Sequence, residues 1–335
     1  MRPKVYVTRK IPEAGIAILD ALCEIDYRDE VSPPSRAEIL KAVESVDAIY
    51  CTLNEKIDKE VMDSAKKLKV IGTMSVGVDH IDIQYATSKG IYVVHTPGVL
   101  TETVADHAWA LLLATARRVA EADGFVRRGE WTIPWAPTMF LGYDVHGKTL
   151  GIIGLGRIGQ AVARRAKGFN MKILYYDIVR REDLEKELGV EYKSLDEVLS
   201  ESDFVTLHVP LTPQTEKLIG ERELKMMKKT AVLVNTSRGK VIDEAALIKA
   251  LREGWIAAAG LDVFEREPLP KDSPLIGLTN VVLTPHIGSA SHDTRNRMAE
   301  YAAAGIITVL RGEIPENLYN KEVVKVRAPS ELKML

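Results

Sequence analysis

Three polar side chains that could act together on a substrate each follow an apolar run of the chain. Arg238 comes after TAVLVNT, Glu267 after AAAGLDVF, and His286 after NVVLTP. An arginine presents a forked donor to a carboxylate, a histidine can give a proton to a carbonyl oxygen, and a nearby carboxylate orients the imidazole and favours its charged form. Together these residue types suit hydride transfer to the carbonyl of a 2-oxo acid, with His286 as the proton donor.

Each of the three residues also has a purely structural interpretation. Arg238 could cap a helix or pair with Asp243, Glu267 could be a surface charge, and His286 could hydrogen-bond a loop. In an open parallel sheet, however, ligands bind beyond the carboxyl ends of the strands. The delivery of a cation, an acid and a histidine to neighbouring strand ends therefore favours one shared site over three separate structural roles.

The stretch GLGRIG, Gly154 to Gly159, fits the glycine pattern of a dinucleotide-binding turn. It directly follows the apolar run TLGII and opens the helical pattern QAVARRAKGF. Gly154 would permit the tight turn, Gly156 would let the backbone approach a pyrophosphate at the positive end of the helix, and Gly159 would let helix and strand pack closely. The alternative is a strand-to-helix turn without a ligand.

Asp177 ends the next apolar run, ILYYD, about twenty residues beyond the glycines. A carboxylate there can accept hydrogen bonds from the adenine-ribose hydroxyls of NAD and would repel a 2′-phosphate. Arg180 and Arg181 follow closely, and an arginine at this turn can hold the 2′-phosphate of NADP. The arginine pair could equally be a solvated face at the start of a helix. NAD(H) is the favoured cofactor, and NADP(H) stays open as the alternative.

The apolar runs alternate with amphipathic stretches along most of the chain, which is the pattern of parallel βαβ units. A first set comprises KVYVT, DAIYC, KVIGTMS and IYVVHT, and a second comprises KTLGIIG, KILYYD, DFVTLHVP, TAVLVNT, AAAGLDVF and NVVLTPH. Helices are predicted from Ala105 to Ala120 and from Asp293 to Arg311. We therefore predict two α/β lobes with hinges at Pro97 to Gly98 and near Gly288 to Ser291, and the last helix could pack back on the first lobe.

The composition argues against several classes of protein. The chain has 335 residues, 46% of them hydrophobic, and its 45 basic and 47 acidic residues give a net charge of -2. With these charges the protein has no large excess of positive charge of the kind that binds nucleic acid or an anionic membrane, so neither is an expected partner. Only Cys23 and Cys51 are present, and no apolar run is long enough to span a bilayer. We expect a cytoplasmic protein without a metal site.

Four motifs together resemble those of one enzyme family. GLGRIG with Asp177, NTSRG from Asn235 to Gly239, GLDVFEREP from Gly260 to Pro268, and LTPHIGSAS from Leu283 to Ser291 look like the signatures of the NAD(P)-dependent D-2-hydroxyacid dehydrogenases. The resemblance covers essentially the whole chain, which within this family is most similar to archaeal glyoxylate/hydroxypyruvate reductases. It implies an α/β fold of two Rossmann/flavodoxin-like, doubly wound parallel-sheet domains separated by a cleft.

The resemblance also implies how the chain is divided and which reaction it performs. Residues 1–99 and 288–335 would form a discontinuous substrate-binding domain around a dinucleotide-binding Rossmann domain of residues 100–287. The reaction would be NAD(P)H-dependent reduction of a small 2-oxo acid, such as glyoxylate or hydroxypyruvate, to glycolate or D-glycerate. Arg238 would bind the substrate carboxylate and carbonyl, His286 would act as acid and base, and Glu267 would be its partner.

Further site residues follow from the same resemblance. Leu53 would border the substrate, and the backbone amides of Val76 and Gly77 would bind its carboxylate. Val104 departs from the small residue that the family usually has in its T-x-x-T-A-D segment, which leaves fine detail of the nicotinamide pocket open. Together with the glycine loop and the arginine pair, the candidate cofactor-binding residues are Thr103, Gly154, Leu155, Gly156, Arg157, Ile158, Gly159, Asp177, Arg180, Arg181, His208, Val209, Pro210, Thr215, Thr236, Ser237, Asp262, His286 and Gly288.

The stretch from Trp131 to Gly142 lies where the family builds its dimer arm. The resemblance therefore implies a homodimer formed through the coenzyme domain and an arm of residues 120–145. Trp131 and Trp135 could instead be core aromatic residues, buried within their own chain.

The same fold serves other functions. Formate dehydrogenases have glutamine where Glu267 stands, and phosphite dehydrogenases have lysine where Val76 stands, so both are disfavoured. D-lactate and D-3-phosphoglycerate dehydrogenases of the same family remain alternatives, although many of the latter carry an added regulatory domain after the last helix. A dinucleotide-sensing, corepressor-like binding module is the alternative that is not an enzyme.

Overall fold

The computed structural model describes residues 2–335, which form two compact α/β units. Unit 1 combines the residues up to Leu100 with Ala290–Leu335, and unit 2 comprises Thr101–Ser289. The first junction lies one residue later than predicted, and the second lies two residues later. Unit 1 is thus built from both ends of the chain, and unit 2 is one continuous segment.

Strands and helices alternate through most of the chain. The strands are β1 (Lys4–Val7), β2 (Glu24–Tyr27), β3 (Ala48–Cys51), β4 (Val70–Thr73), β5 (Tyr92–Val94), β6 (Thr149–Ile153), β7 (Lys172–Tyr176), β8 (Glu191–Tyr192), β9 (Phe204–Leu207), β10 (Val232–Asn235), β11 (Ala258–Leu261) and β12 (Val281–Leu283). The α-helices are α1 (Glu13–Leu22), α2 (Arg36–Val43), α3 (Lys59–Ser64), α4 (Ile83–Ser88), α5 (Thr101–Ala116), α6 (Val119–Arg127), α7 (Arg157–Ala166), α8 (Glu182–Leu188), α9 (Leu195–Glu201), α10 (Glu221–Met226), α11 (Glu244–Glu253) and α12 (His292–Leu310). Short 3-10 helices span Lys167–Phe169, Gly239–Val241, Pro274–Gly277, Lys321–Lys325 and Pro329–Leu332. Among residues 2–335, no helix has both the length and the apolarity needed to cross a membrane.

Unit 1 is built on a five-stranded parallel sheet in the order β2-β1-β3-β4-β5. Every residue of the inner strands β3 and β4 is buried, as expected of parallel strands that helices cover on both faces. Helix α12 packs against α1 and β4, where Ala299 lies next to Gly15 and Ile306 lies next to Gly72. A side chain at Gly72 would overlap Ile306, and one at Gly15 would press against Ala299, so the two glycines let the last helix lie directly on α1 and on the sheet.

Unit 2 is built on a seven-stranded parallel sheet in the order β12-β11-β10-β9-β6-β7-β8. From β6 the chain fills the sheet in one direction through β7 and β8, and it then returns to β9 and fills the other direction. One apolar cluster packs α5 and α7 against the sheet, and a second packs α9, α10 and α11 against it. The connections after β6 and β9 therefore diverge, and in such sheets this point leaves a crevice in which ligands bind.

The helix predicted from Ala105 to Ala120 is in fact two helices. Helix α5 begins earlier, at Thr101, and the prediction also missed the break before α6. At this break Arg118 has a left-handed backbone with φ of 53°, and its guanidinium pairs with Glu121 at 2.8 Å. A left-handed residue cannot continue a right-handed helix, so the chain changes direction here.

Residues 128–148 connect α6 to β6 without a helix or a strand. Trp131 and Trp135 in this connection are 53% and 77% exposed. The alternative prediction that they are core aromatic residues is therefore wrong. Helix α6 before them has no buried residue either. Several apolar side chains from α6 to Tyr143 are therefore exposed on the surface of this chain, whereas Val145 is buried.

Candidate active site

The glycine loop after β6 has the geometry that its sequence pattern predicts. Gly154 has a φ of 96°, and a side chain there would come within 2.8 Å of the His208 backbone. A side chain at Gly159 would overlap the carbonyl oxygen of Gly154, because helix and strand approach closely at this point. Gly156, by contrast, has no other group within 4 Å of the place where its side chain would stand. The loop itself requires the outer two glycines, while the middle one keeps open space beside the backbone.

This open space lies at the amino end of α7, where a dinucleotide could be held. No side chain caps the helix at Gly156, so the first amides of α7 are not taken by a capping group, and the helix dipole favours an anion there. The buried hydroxyl of Thr236, after β10, has no hydrogen-bond partner among residues 2–335. An uncapped helix end, an open glycine and an unsatisfied hydroxyl fit the phosphates and polar groups of a dinucleotide.

Asp177 follows β7 and faces the glycine loop. Its Oδ2 accepts a hydrogen bond of 2.7 Å from the Leu155 amide. Arg180 forms a two-pronged ion pair with Glu185 at 2.8 and 2.9 Å, and Arg181 pairs in the same manner with Asp183. Both acids belong to α8, so in this structure the arginines pair with carboxylates of the helix that follows them. Their predicted cofactor role stays a prediction.

The turn after β9 carries the predicted cofactor residues from His208 to Thr215. The His208 imidazole lies 2.9 Å from the Thr206 hydroxyl, and burial lowers the pKa of His208 to about 3, so this ring is neutral at physiological pH. The Thr215 hydroxyl donates to the Pro210 carbonyl at 2.6 Å and accepts from the Thr212 amide at 2.8 Å. In this structure Thr215 thus stabilises the turn, and Val209 packs against the neighbouring apolar cluster.

Arg238, Glu267 and His286 follow β10, β11 and β12, which are consecutive neighbours in the sheet. The buried Asn235 at the end of β10 shapes the turn before Arg238, because its Nδ2 donates to the Arg238 carbonyl at 2.9 Å. Its Oδ1 accepts from the amide and the hydroxyl of Ser237 at 2.9 and 2.8 Å. The side chain of Asn235 therefore holds this turn through hydrogen bonds, since the turn lies beyond the paired residues of β10.

His286 and Glu267 form a direct pair. The distance from Nδ1 of His286 to Oε2 of Glu267 is 2.7 Å, and both side chains are about one quarter exposed, at 26% and 24%. Oε1 of Glu267 accepts from the Phe264 amide at 3.1 Å, which fixes the carboxylate. Because an ionised carboxylate can only accept, Nδ1 carries a proton and Nε2 is the nitrogen left for proton exchange.

Asp262 holds the loop that carries His286. Its Oδ1 accepts from the Thr284 hydroxyl at 2.6 Å and the Ile287 amide at 2.8 Å, and its Oδ2 accepts from the Gly288 amide at 2.8 Å. Its backbone carbonyl accepts from the His286 amide at 2.9 Å. His286 has a left-handed backbone with φ of 55°, a strained conformation for a residue with a side chain. The hydrogen bonds of Asp262 keep the loop in this conformation.

A second histidine belongs to the Asp262 network. Nε2 of His107, in α5, lies 3.2 Å from Oδ1 of Asp262 and 3.1 Å from the Thr284 hydroxyl. Burial alone would raise the pKa of Asp262, but hydrogen bonds from His107, Thr284 and Ile287 lower it below the usual carboxyl value. Asp262 is 1% exposed, and both of its carboxylate oxygens accept hydrogen bonds from other residues of this protein. The predicted cofactor roles of Asp262 and Gly288 remain predictions.

Sequence reasoning missed Asn235 and His107 as parts of this site. Asn235 stands inside the quoted motif NTSRG and could have been recognised as a turn-forming residue at a strand end. His107 lies in α5, and no local pattern indicates that it reaches Asp262.

The predicted substrate residues Leu53, Val76 and Gly77 belong to unit 1. Leu53 follows β3, and the other two follow β4, which is the neighbour of β3 in the sheet. All three residues are partly exposed. Among residues 2–335, no backbone or side-chain acceptor receives the amides of Val76 and Gly77. Thr103 lies in the first turn of α5 in unit 2 and is partly exposed, next to the buried Val104.

A doubly wound sheet with an open glycine loop at its switch point is typical of dinucleotide-dependent dehydrogenases. The family model described as D-isomer specific 2-hydroxyacid dehydrogenase, NAD binding domain, matches residues 109–288. A glyoxylate reductase from Korarchaeum cryptofilum is 60% identical over 329 residues, which are 98% of this chain and 99% of that protein. The chain belongs to the D-isomer specific 2-hydroxyacid dehydrogenase family.

Solved structures of the family agree with the fold. An NADPH-dependent glyoxylate/hydroxypyruvate reductase from Sinorhizobium meliloti, in complex with NADP and malonate, has a TM-score of 0.85 and 34% identity, covering 96% of this chain and 98% of that one. A D-lactate dehydrogenase from Aquifex aeolicus, complexed with NAD and lactic acid, has a TM-score of 0.83 and 33% identity, covering 95% and 99%. The predicted family, the fold of two parallel-sheet α/β domains, the enzyme class and a nicotinamide dinucleotide as cofactor are confirmed.

Replacing Asp262 by asparagine should destabilise the protein, because the new amide group would face donors that now meet a carboxylate. We expect a loss of about 1–3 kcal/mol in the free energy of unfolding at neutral pH. Since folding lowers the pKa of Asp262, its stabilisation is present above the unfolded-state pKa and is lost as pH falls through the folded-state pKa. The difference between Asp262→Asn and the unmodified protein should therefore shrink in acid.

Urea unfolding of both proteins at neutral and acidic pH measures this difference. Asp272→Asn, at an exposed position, is the matched control and should have little effect at either pH. An Asp262→Asn deficit that stays constant with pH would contradict the role of the ionised carboxylate.

Proposed function

We propose that this protein reduces a small 2-oxo acid, glyoxylate or hydroxypyruvate, to the corresponding 2-hydroxy acid with a nicotinamide dinucleotide. The observation that carries the proposal is the 2.7 Å contact between His286 and Glu267. Glu267 follows β11, which is the neighbour of β10, the strand that precedes Arg238. Membership of the family and the name of the Korarchaeum cryptofilum relative support the choice of substrate.

In the proposed reaction, bound NADH or NADPH supplies the hydride that reaches the carbonyl carbon. As this happens the carbonyl oxygen gains negative charge, and His286 gives it the proton carried on Nε2. Glu267 accepts the Nδ1 proton in a hydrogen bond, stabilises the imidazolium form and keeps the ring oriented. His286 then recovers a proton from solvent, and in the reverse direction the same nitrogen acts as the base.

Arg238 binds the substrate carboxylate and carbonyl in this proposal. Its planar guanidinium can hold a carboxylate through parallel hydrogen bonds, which a point charge cannot do. The free amides of Val76 and Gly77 in unit 1 bind the carboxylate as well, and Leu53 borders the substrate. Two observations support these roles. The amides of Val76 and Gly77 donate to no other group among residues 2–335, and Asn235 fixes the turn from which Arg238 extends.

The proposed cofactor is NAD(H), held by the glycine loop and by Asp177. The carboxylate of Asp177 already accepts from Leu155 and keeps acceptor capacity for ribose hydroxyls. Arg180 and Arg181, which could hold a 2′-phosphate, are engaged by Glu185 and Asp183. Because these ion pairs are exposed, a phosphate could displace them at little cost, so NADP(H) stays the alternative.

A panel of substrates crossed with NADH and NADPH tests both parts of this proposal. We expect glyoxylate and hydroxypyruvate to have higher kcat/KM than pyruvate or a bulky aromatic 2-oxo acid, and NADH to exceed NADPH. A strong NADPH preference would overturn the cofactor choice, and pyruvate as the best substrate would favour a D-lactate dehydrogenase. Dinucleotide binding without any turnover would favour the binding module.

His286→Ala should lower kcat by about 10²–10⁴-fold, because the proton donor acts in the transition state. The dissociation constant for NADH, measured by fluorescence titration, should change little. Glu267→Gln should lower kcat less, since an amide oxygen can still accept from Nδ1 but carries no charge. His146→Ala, at an exposed histidine of the same unit, is the matched control. Near-normal turnover in His286→Ala would rule out His286 as the proton donor.

A homodimer through the coenzyme domain and an arm of residues 120–145 is also part of the proposal. Trp131, Ile133, Trp135 and Leu141 are all more than half exposed, and α6 buries none of its residues. Apolar surface of this extent favours burial against a partner, here a second copy of the chain. Sedimentation should give the mass of a dimer, and Trp135→Ser should weaken it, while a monomer at micromolar concentration would contradict this part.

Cytoplasmic location completes the proposal. Cys23 and Cys51 are both buried and free, which suits a reducing compartment. A disulfide at either cysteine in protein isolated without reductant would contradict it.

A further inference from the structure

We propose that His95 is a positioning residue for substrate binding, which orients the peptide between Val76 and Gly77 so that its N–H faces the substrate carboxylate. Together with a second anchor at Ser75, it fixes both peptide groups around Gly77. This inference rests on the proposed function, because the amides of Val76 and Gly77 bind the carboxylate only in that proposal.

His95 reaches the turn because their strands are neighbours. It directly follows β5, which pairs in parallel with β4 so that Gly72 lies opposite Val94. The turn from Ser75 to Gly77 follows β4, and the Thr96 amide donates to the Ser75 carbonyl at 2.9 Å. Nδ1 of His95 lies 2.9 Å from the Val76 carbonyl oxygen. Because a carbonyl oxygen can only accept, Nδ1 carries the hydrogen and donates it.

This hydrogen bond determines where the Gly77 amide points. The Val76 carbonyl and the Gly77 N–H belong to one planar peptide group, and in a trans peptide they point in opposite directions. A donor that holds the carbonyl on one side therefore turns the N–H to the other side. The same hydrogen bond polarises the peptide, so the N–H becomes a better donor to an anion.

A second chain of hydrogen bonds holds the next peptide group. The Ser75 hydroxyl donates to the Gly77 carbonyl at 2.7 Å, so its oxygen accepts from the Thr73 hydroxyl at 2.8 Å. The Thr73 oxygen in turn lies 3.0 Å from Nε2 of His80, which must donate to it. Because the Gly77 carbonyl can only accept, it sets the donor and the acceptor of every hydrogen bond in this series back to His80. Glycine alone would leave this turn many conformations, and the two anchors remove that freedom.

His95 is itself held by the segment after α12. Its backbone amide donates to the Asn317 carbonyl at 3.1 Å, and its carbonyl accepts from Nδ2 of Asn317 at 2.8 Å. The ring of Tyr319 meets the imidazole edge to face, with 5.0 Å between the ring centres. The imidazole is therefore oriented before any ligand arrives, and the turn needs no ordering when a carboxylate binds.

Two variants of nearly equal shape distinguish the loss of the hydrogen-bond donor at position 95 from the loss of side-chain volume. In His95→Asn, Nδ2 stands the same number of bonds from the backbone as Nδ1 of histidine and can donate to Val76. In His95→Leu, a methyl group occupies that place and cannot. Oxamate, a 2-oxo acid analogue that is not reduced, reports binding without catalysis. The measurements are KM for glyoxylate, kcat, and the dissociation constants for NADH and for oxamate in the presence of NADH.

His95→Leu should raise KM for glyoxylate and the oxamate dissociation constant roughly tenfold, the size expected for one well-placed hydrogen bond. The carboxylate is bound equally before and during hydride transfer, so kcat should change less than about threefold. The NADH dissociation constant should not change, and His95→Asn should remain within about threefold of the unmodified protein in every value. Ser75→Ala, which removes the second anchor without adding volume, should also raise KM and the oxamate constant.

The outcomes distinguish this inference from the proposed function. If the unmodified protein neither reduces glyoxylate nor binds oxamate, the proposed function fails. If it does both and His95→Leu keeps a normal KM, or if His95→Asn is impaired as much as His95→Leu, the positioning role is wrong and the proposed function stands. If His95→Leu does not fold, Ser75→Ala decides, and a normal KM in that variant overturns the inference.

Discussion

All strands of each sheet run parallel, and this constraint decides where the side chains of the candidate site lie. In a parallel sheet the strands end at one common edge, so the residues that follow them are delivered to the same place. In unit 2 that edge receives Arg238, Glu267 and His286 from consecutive strands. In unit 1 it receives the turn at Gly77 and, from the next strand, His95. The sheets supply rigidity, while the candidate site residues lie in loops that no strand pairing holds.

Buried polar side chains replace strand pairing in these loops. Asn235 fixes the turn at Arg238, and Asp262 fixes the loop at His286 through three donors of that loop. A buried carboxylate without such donors would be costly, so the network stabilises the fold only while the loop keeps its shape. Loop geometry and stability are thereby coupled, which explains how His286 can hold a left-handed backbone.

The sequence predicted those parts of the structure that depend on local chemistry. The glycine loop follows from what each glycine permits, and the strand ends follow from apolar runs of limited length. The break at Arg118 was missed because one left-handed residue interrupts a helical pattern that is continuous in the sequence. The role of Asp262 in holding the loop could not be predicted, since the loop donors that it binds lie more than twenty residues further along the chain. The ion pair of Arg180 with Glu185 was not predicted either, because the sequence alone does not show how the start of α8 folds toward this arginine.

The return of the chain to unit 1 has a consequence for how the protein is made. When the residues up to Leu100 have been synthesised, β4 and α1 still lack the cover that α12 gives them, with Ile306 over Gly72 and Ala299 over Gly15. Unit 2, as one continuous segment, has all of its strands before α12 is translated. Domains generally fold as units while the chain grows. The strands of the first sheet are therefore synthesised first, but that sheet gains the cover of α12 only after every strand of unit 2 has been made.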